Sequence, residues 1–290
     1  MATTLAIFGV GLIGGSAALA ARRAQPTIHI TGYGRSQASL DFALQHGIID
    51  QIGSPDHCPQ AELCLVAAPP IASLTILAQL EAQRYPGIVT DAVSVKVPIA
   101  QMADRPFWRG RLVPAHPIAG TENRGPQAAH VSLFDGSAAI LTPTSTTDTQ
   151  ALDRVRQFWT MLGCRVESMA ALDHDRRYAE VSHTPHTIVF ALASLLLSDY
   201  SPDELAQRSG GGLRGLLRIA ASTPEMWGQI LALNRDPILA LGDRYVEELQ
   251  HWLALLRNNR GEELESALTR VSEGTRRYLD QWQALRTTDP

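Results

Sequence analysis

The sequence of 290 residues lacks several features that mark special classes of protein. It has no long run of like charges and a net charge of −4, so neither nucleic acid nor an anionic membrane is indicated as a partner. Its three cysteines, Cys58, Cys64 and Cys164, are not spaced like metal ligands, which favours idle thiols in a reducing compartment. No basic segment opens the chain, and the apolar run after Ile188 is interrupted at Ser194, too early to span a bilayer. We expect a cytoplasmic protein.

A glycine-rich turn near the N-terminus is the strongest positive feature. An apolar run at 5–8 leads directly into the spacing G-x-G-x-x-G, and a helix-forming stretch at 16–23 follows. Such a turn lets backbone approach a pyrophosphate, and the first N–H groups of the helix favour its negative charge. The predicted dinucleotide-binding turn consists of Gly9, Gly11, Leu12, Ile13 and Gly14.

The next part of the chain alternates apolar, β-branched segments with helical ones, which predicts a parallel sheet covered by helices. The predicted strands are 27–32, 62–68, 87–93, 111–115, 137–142 and 164–168, with a helix at 148–162 before the last. Beyond this point the pattern is helical only. We therefore predict an α/β, Rossmann-type doubly wound domain at 1–168 and an all-helical domain at 169–290; the hydrophobic content of 45% suffices for two cores.

The end of the second strand bears on the choice of nicotinamide cofactor. An acidic residue normally stands there for the ribose 2′-hydroxyl of NAD, whereas an arginine suits the 2′-phosphate of NADP. This sequence has Gly34, Arg35 and Ser36 instead. The missing carboxylate and the two donors favour NADP, with NAD as the alternative in which Arg35 is only a solvated charge.

The other strand ends carry the candidate groups for chemistry, because ligands of open α/β sheets lie at the carboxyl ends of the strands. Ala68 and Pro69 follow one strand and are candidates for cofactor contact. His116 directly follows another and could accept a proton near neutral pH; taken alone, a structural histidine is the favoured interpretation. Ser94 is either a site residue or the N-cap of a helix at 95–102, and Lys96 either balances a phosphate or lies on a solvated first turn.

In the helical half, a long helix at 173–200 is predicted to be kinked by Pro185. Ser182, His183 and His186 cluster next to it, and the two histidines share a face. A metal pair is conceivable, but zinc usually takes a third protein ligand and none stands nearby at a recognised spacing, so we expect no metal. One of the histidines is expected to belong to the core, since apolar residues follow.

Three glycines at 210–212 precede a segment that ends near Arg218. A guanidinium binds a carboxylate through two parallel hydrogen bonds, which suits an acidic small-molecule substrate, although an exposed helical arginine is the simpler interpretation. Trp227 is either an aromatic wall or part of the core. The last helices, 236–257 and 262–282, carry apolar residues at helical spacing and need a partner surface, for which we expect a second subunit.

Together these residues resemble the prephenate/arogenate dehydrogenase family of tyrosine biosynthesis, over nearly the whole chain. The motifs concerned are the glycine turn, D-x-x-S-V-K at 91–96, H-P-I-A-G-T-E at 116–122, L-F at 133–134, D-H-D at 173–175, S-H-x-P-H at 182–186, and G-G-G-x-R at 210–214 with Arg218 and Trp227 beyond. The resemblance implies a Rossmann domain, a helical dimerisation domain and a substrate cleft between them.

Carried over residue by residue, the resemblance makes His116 the catalytic base and Ser94 its partner, also close to the nicotinamide. Arg218 becomes the anchor of a substrate carboxylate. The residues implied to line the same pocket are Ser182, His183, His186, Glu122 and Trp227. Two positions depart from the family pattern: Gly215 replaces an acidic residue three before the arginine, and Gly34 replaces the acidic residue after strand two.

The implied reaction is oxidative decarboxylation of prephenate to 4-hydroxyphenylpyruvate, with hydride transfer to NADP or NAD. A His186 that donates to the keto oxygen favours prephenate; arogenate dehydrogenase and a dual cyclohexadienyl dehydrogenase are the alternatives. Two other classes remain: a different β-hydroxyacid or imine dehydrogenase, which would use a lysine base, and a non-catalytic NADP-sensing protein, which would need no His116.

Overall fold

A computed structural model describes residues 3–121 and 123–287 of the chain. Glu122, one of the expected pocket residues, lies outside the described residues. The chain divides into two compact units, Met1–Arg235 and Asp236–Pro290. Every other candidate site residue belongs to the first unit.

A six-stranded sheet forms the centre of the first unit, and all its strand pairs are parallel. The strand order is β3-β2-β1-β4-β5-β6, the order of a Rossmann fold. The strands are β1 (Thr4–Phe8), β2 (His29–Tyr33), β3 (Gln51–Ile52), β4 (Leu63–Val66), β5 (Ile88–Asp91) and β6 (Leu112–Val113). The predicted doubly wound class is confirmed; β3 has only two residues and was not predicted.

Helices connect these strands and cover the sheet. They are α1 (Leu12–Ala24), α2 (Gln37–Gln45), α3 (Pro70–Ala82) and α4 (Val97–Ala103). The strands are apolar along their length because both sheet faces are buried: all four residues of β4 are inaccessible to solvent or nearly so. The sheet therefore presents its strand ends, and not its faces, for chemistry.

A second, three-stranded sheet corrects part of the sequence prediction. It has the order β7-β8-β9, formed by β7 (Ala115–Pro117), β8 (Ala138–Leu141) and β9 (Arg165–Ser168), with α5 (Thr149–Met161) between the last two. The segment predicted at 137–142 is a strand, but it pairs antiparallel with β7 and does not join the parallel sheet. The strand predicted at 111–115 is divided at Pro114, which has no N–H for a ladder, and its last residue belongs to β7.

The long helix predicted at 173–200 is two helices joined by a wider turn. α6 (Ala171–Tyr178) leads into a single π-helical turn, Ala179–His183, and then into α7 (Thr184–Asp199). Pro185 lies in the first turn of α7, where its missing N–H costs no hydrogen bond. The sequence predicted a kink caused by Pro185, but the irregular turn of the structure is the π turn at 179–183, which precedes the proline and gathers Ser182 and His183 at the junction.

By length and hydropathy, one described stretch, 171–199, could cross a membrane. It carries the buried polar side chains of His174, Asp175 and His183, which bond to neighbouring elements of the first unit. Such bonds are typical of a helix packed within a folded domain.

Shorter helices complete the first unit: α8 (Pro202–Arg208), α9 (Gly211–Leu217), a 3₁₀ turn (Arg218–Ala221) and α10 (Pro224–Leu233). The second unit consists of α11 (Arg235–Arg257, whose first residue closes the first unit) and α12 (Gly261–Thr287). Both long helices expose large apolar side chains, among them Leu239, Val246, Leu249, Leu256, Leu268, Val271 and Leu279. Apolar side chains repeated along one helix normally pack against another surface.

Candidate active site

The glycine turn has the geometry of a dinucleotide cradle. Gly9 has a φ of +96°, and a Cβ there would lie 2.5 Å from the carbonyl oxygen of Ala67. A Cβ on Gly14 would collide with the carbonyl oxygen of Gly9, so α1 packs on the turn only because residue 14 has no side chain. Gly11 is the N-cap of α1 and has open space around its Cα. A pyrophosphate fits there, close to the first N–H groups of the helix.

Residues at the end of β4 lie against this turn. A Cβ on Gly9 would also lie within 3.1 Å of the Ala68 nitrogen. Pro69 is the N-cap of α3, and Ser73 Oγ donates to the Ala68 carbonyl oxygen at 2.8 Å. The structure thus places Ala68 against the glycine turn, and Pro69 follows it in the chain.

The segment after β2 is exposed and has no acidic side chain. Ser36 caps α2: its Oγ accepts from the Ser39 N–H at 3.3 Å and from Ser39 Oγ at 3.1 Å. Its own hydroxyl proton remains available to an acceptor. Arg35 is exposed next to it, so both predicted donors to a 2′-phosphate lie at the end of one strand.

Lys96 is neither a phosphate ligand on the surface nor part of a solvated turn, and both interpretations of the sequence are wrong. Its side chain is fully buried, and Nζ is paired with Asp91 and donates to the Ala115 carbonyl oxygen at 2.6 Å. Burial lowers the pKa of Lys96, and the adjacent Asp91 carboxylate opposes that shift. Asp91 also accepts the N–H groups of Val93 at 2.9 Å and Ala115 at 3.0 Å. The ion pair thus holds the backbone after β5 and at the start of β7 in place.

The start of α4 is capped from a distance. The N-cap residue is Lys96, and Ser94 lies in a bend before it, so the N-cap interpretation of Ser94 is wrong. Asp175, on α6, accepts the N–H of Lys96 at 2.7 Å through Oδ1 and that of Val97 at 2.8 Å through Oδ2. A carboxylate 78 residues away therefore replaces the local cap. Ser94 itself is partly exposed at the mouth of β5.

His116 lies within β7, not after a strand of the parallel sheet as predicted. It is partly buried, and its Nδ1 lies 2.9 Å from Nε2 of His174. Tyr178 packs against both rings, with centroids 4.8 Å from His116 and 4.4 Å from His174. The pKa of His116 is well below its usual value, first because of burial and then because of positive charge at His174 and Lys96. At neutral pH the ring is therefore an unprotonated base.

The two histidines of the S-H-x-P-H motif have different environments. His183 is buried, accepts at Nδ1 from Asn234 Nδ2 at 2.8 Å, and has its pKa lowered by burial to about 4. His186 is half-buried and stacks on Trp227 with centroids 3.7 Å apart. Its Nδ1 donates to the Ser182 carbonyl oxygen at 2.8 Å. The expectation that one of the two belongs to the core is confirmed by His183. Trp227 is itself buried in a small core cluster with Val95 and Ile230, and its role as a wall of the pocket stays a prediction.

Arg218 begins the 3₁₀ turn after α9 and is exposed. That turn packs against α7, the helix that carries His186. The prediction that Arg218 anchors a substrate carboxylate stays a prediction. Among the described residues, no three metal-ligating side chains converge.

Sequence reasoning assigned no role to three residues of this site: His174, Asp175 and Asn234. Asn234, at the end of α10, donates through Nδ2 to the Asp175 carbonyl oxygen and to His183, both at 2.8 Å. The D-H-D motif at 173–175 was recognised, but its contacts with His116 and Lys96 span 58 and 79 residues. No local pattern signals contacts of that range.

Comparison with known proteins supplies the chemical context. Two family models match the chain: "Prephenate dehydrogenase, nucleotide-binding domain" over residues 17–168 and "Prephenate dehydrogenase, dimerization domain" over residues 170–270. A cyclohexadienyl dehydrogenase of Zymomonas mobilis is 33% identical, over 85% of this chain and 86% of that protein. The predicted boundary after residue 168 falls between the two models, and it stays a prediction because the compact first unit extends to Arg235.

Two solved structures are similar throughout. Prephenate dehydrogenase from A. aeolicus, in complex with hydroxyphenyl propionate and NAD+, has a TM-score of 0.87 and 31% identity, covering 95% of this chain and 98% of that one. Synechocystis arogenate dehydrogenase has a TM-score of 0.78 and 28% identity, covering 95% and 99%.

Proposed function

The chain belongs to the prephenate dehydrogenase family and is a nicotinamide-dependent oxidoreductase; we propose that it converts prephenate to 4-hydroxyphenylpyruvate, with His116 as the general base and arogenate as a second substrate. The observation that carries this assignment is the state of His116. It is an imidazole kept neutral by burial, within β7 and next to the parallel sheet that carries the glycine turn. A neutral imidazole is what proton abstraction from a hydroxyl requires.

The chemistry balances with one base. His116 takes the proton of the ring hydroxyl, whose O–H electron pair becomes the second bond of a carbonyl. Nicotinamide, when bound, accepts the hydride from the same carbon. The ring carboxylate then leaves as carbon dioxide. The C–C bonding pair enters the ring, which becomes aromatic, and the carbonyl π pair returns to oxygen. That phenolate oxygen takes back a proton, which the protonated His116 can supply. Aromatisation makes the sequence irreversible, so the protein has only to place the hydroxyl at His116 and hold the acid.

We assign the holding of the acid to Arg218, which can bind a carboxylate through two hydrogen bonds. The support is that Arg218 lies on a turn packed against α7, the helix that carries His186. The start of that helix also brings together other predicted pocket residues: Ser182, His183 and His186, with Trp227 of α10 stacked on the His186 ring. Ser94, at the mouth of β5, is assigned the contact with the substrate hydroxyl and the nicotinamide.

The His186 ring bears on the choice between the two substrates. Because Nδ1 donates to the Ser182 carbonyl, the neutral ring has only a lone pair at Nε2. Neutral His186 therefore accepts, and the expectation that it donates to a keto oxygen holds only for its protonated form. A lone pair suits the ammonium group of arogenate, and an imidazolium suits the keto group of prephenate. Because the neutral and the protonated His186 ring each suit one of the two substrates, we propose that the enzyme uses both.

For the cofactor we propose NADP in preference to NAD. The support is the exposed segment after β2, where Arg35 and Ser36 can donate and no carboxylate repels a 2′-phosphate.

For assembly we propose a homodimer through the C-terminal helices, because α11 and α12 expose apolar side chains along their length. We further propose a cytoplasmic location, since the family's reaction needs only soluble small molecules.

The lysine-base alternative has little support in this chain. Lys96 is its only lysine, and that side chain is buried in an ion pair. A base must reach solvent or substrate to exchange its proton. The other alternative, a non-catalytic NADP-sensing protein, is distinguished from an enzyme by the turnover assay below.

The deciding experiment measures nucleotide reduction by the purified protein with prephenate or arogenate, each with NADP or NAD. We expect turnover with both substrates and a higher kcat/KM with NADP. His116→Asn should lower kcat by about 10²- to 10⁴-fold and leave the cofactor Kd unchanged. An exposed histidine provides the control, His57→Asn, which should match the native enzyme. Absence of turnover with intact cofactor binding would support the sensing protein and refute the proposal.

A further inference from the structure

Three side chains form a continuous hydrogen-bonded series that ends at the proposed base. Asp175 Oδ1 lies 2.7 Å from His174 Nδ1, and His174 Nε2 lies 2.9 Å from His116 Nδ1. His174 is fully buried and Asp175 nearly so. The series runs from α6 to β7 without an intervening gap.

The position of each proton in this series is fixed by the partners of Asp175. Its carboxylate oxygens accept the N–H groups of Lys96 and Val97, and backbone N–H groups can only donate. The carboxylate is therefore an acceptor towards all its partners, including His174 Nδ1. A neutral His174 that donates at Nδ1 has its lone pair at Nε2. His116 must then donate at Nδ1, which leaves its own lone pair at Nε2.

We propose that His174 and Asp175 are positioning residues for His116: they hold it in the tautomer whose Nε2 is the base and stabilise the imidazolium formed when it takes a proton. This inference rests on the proposed role of His116 in the reaction. When the substrate hydroxyl gives its proton to Nε2, the positive charge is shared through Nδ1–H with His174 Nε2. The Asp175 carboxylate, which is hydrogen-bonded to the other nitrogen of His174, balances that charge.

Other charged and titratable groups also face these rings. Lys96 and Asp91 lie on one side as an ion pair, while His183 and Tyr178 approach from the π turn and from α6. Burial disfavours the imidazolium of His116, and so do His174, Lys96 and His183 when they are charged. Burial also lowers the pKa of His174, so that this ring is neutral and acts as an acceptor. Lys96 and His183 stay in place when residue 174 is replaced. A comparison of His174→Phe with His174→Gln, neither of which introduces a charge, therefore isolates the contribution of the acceptor.

The first test reads the tautomer of His116 in the native protein. In protein labelled with ¹⁵N-histidine, two-bond ¹H–¹⁵N correlation spectra at pH 7.5 report which ring nitrogen carries the proton, and the His116 signals are identified by their loss in His116→Asn. We expect the Nδ1-protonated tautomer at His116. A His116 protonated at Nε2 in the native protein would overturn the proposal.

The second test separates orientation from packing. His174→Phe keeps a ring against Tyr178 but removes the acceptor, whereas the side-chain oxygen of His174→Gln can replace Nε2. We expect His174→Phe to lower kcat by at least about tenfold with little change in KM, and to move the acid limb of kcat to lower pH. His174→Gln should restore much of kcat and the position of that limb.

The outcomes distinguish this inference from the proposed function. If His174→Phe is folded and has native kcat and pH profile, the positioning role is refuted while His116 can still be the base. If His116→Asn is itself fully active, the proposed function fails before the series is in question. Equal loss of kcat in His174→Phe and His174→Gln would also refute the role, because it would indicate disturbed packing.

Discussion

Lys96 and Ala115 are joined by a hydrogen bond of 2.6 Å from Nζ to the backbone carbonyl oxygen. Asp91, the ion-pair partner of Lys96, accepts the N–H of the same alanine at 3.0 Å. Both backbone polar groups of the residue before His116 are therefore held by one buried ion pair. Since Asp91 ends β5, the proposed base on β7 is fixed relative to the parallel sheet.

Replacement of the proposed carboxylate anchor should act on substrate binding. Arg218→Ala removes a charge-assisted contact that is present in both the ground state and the transition state, so KM for prephenate should rise while kcat changes less. Steady-state kinetics at saturating cofactor measure this. Arg208→Ala, at an exposed arginine on α8, is the matched control and should have native KM. A loss confined to kcat would contradict the anchor role.

The cofactor preference should respond to a single carboxylate after β2. A Cβ on Gly34 would meet the Leu40 side chain no closer than 3.5 Å, so an aspartate fits without strain. Gly34→Asp should lower kcat/KM for NADP by repelling the 2′-phosphate and raise it for NAD through a hydrogen bond to the ribose. The measurement is the ratio of the two kcat/KM values. Gly34→Ala controls for the side chain itself, and an unchanged ratio in Gly34→Asp would remove the assignment of NADP.

The relative use of the two substrates should depend on pH through His186. Burial lowers the pKa of His186, so its ring is neutral at pH 7 and gains a proton only as the pH falls further below its ordinary value of about 6.5. Protonation turns Nε2 from an acceptor into a donor, while the ammonium of arogenate keeps its charge. The ratio of kcat/KM for prephenate to that for arogenate should therefore rise as the pH is lowered.

A ratio is the right measurement because the titration of His116 affects both substrates alike and cancels. In His186→Gln the amide can donate and accept at every pH, so its ratio should stay constant across the same range. A native ratio that does not vary with pH would show that Nε2 of His186 makes no contact with the part of the substrate that differs.

The local parts of this site could be predicted from sequence. The glycine turn is a pattern within six residues, 9–14, and its strand–turn–helix context is contiguous, so Gly9 and Gly14 have the close contacts that the spacing implied. Such features depend on neighbours in the chain, and the sequence contains them directly.

The predictions that were wrong concern residues whose environment is set by contacts distant in the sequence. A lysine on a first turn is normally solvated, and only the fold shows that Asp91 and the Ala115 carbonyl enclose Lys96. A serine before a helix normally caps it, but Asp175 takes that place from another helix. Pro114 divides a run that looks like one strand, which moves His116 into a second sheet. In each case a long-range polar contact overrides the local preference.

The buried ion pair offers the most direct test of this arrangement. Lys96→Met should leave the Asp91 carboxylate buried without its cation, which commonly costs about 3–5 kcal/mol of unfolding free energy. Lys96→Met combined with Asp91→Asn should recover part of the loss, because no net charge is then buried. Urea unfolding at pH 7.5 and a fixed protein concentration measures the difference. The surface control Arg109→Met should stay within about 0.5 kcal/mol of the native protein, and a Lys96→Met loss no larger than that would show that the pair does not hold β5 and β7 together.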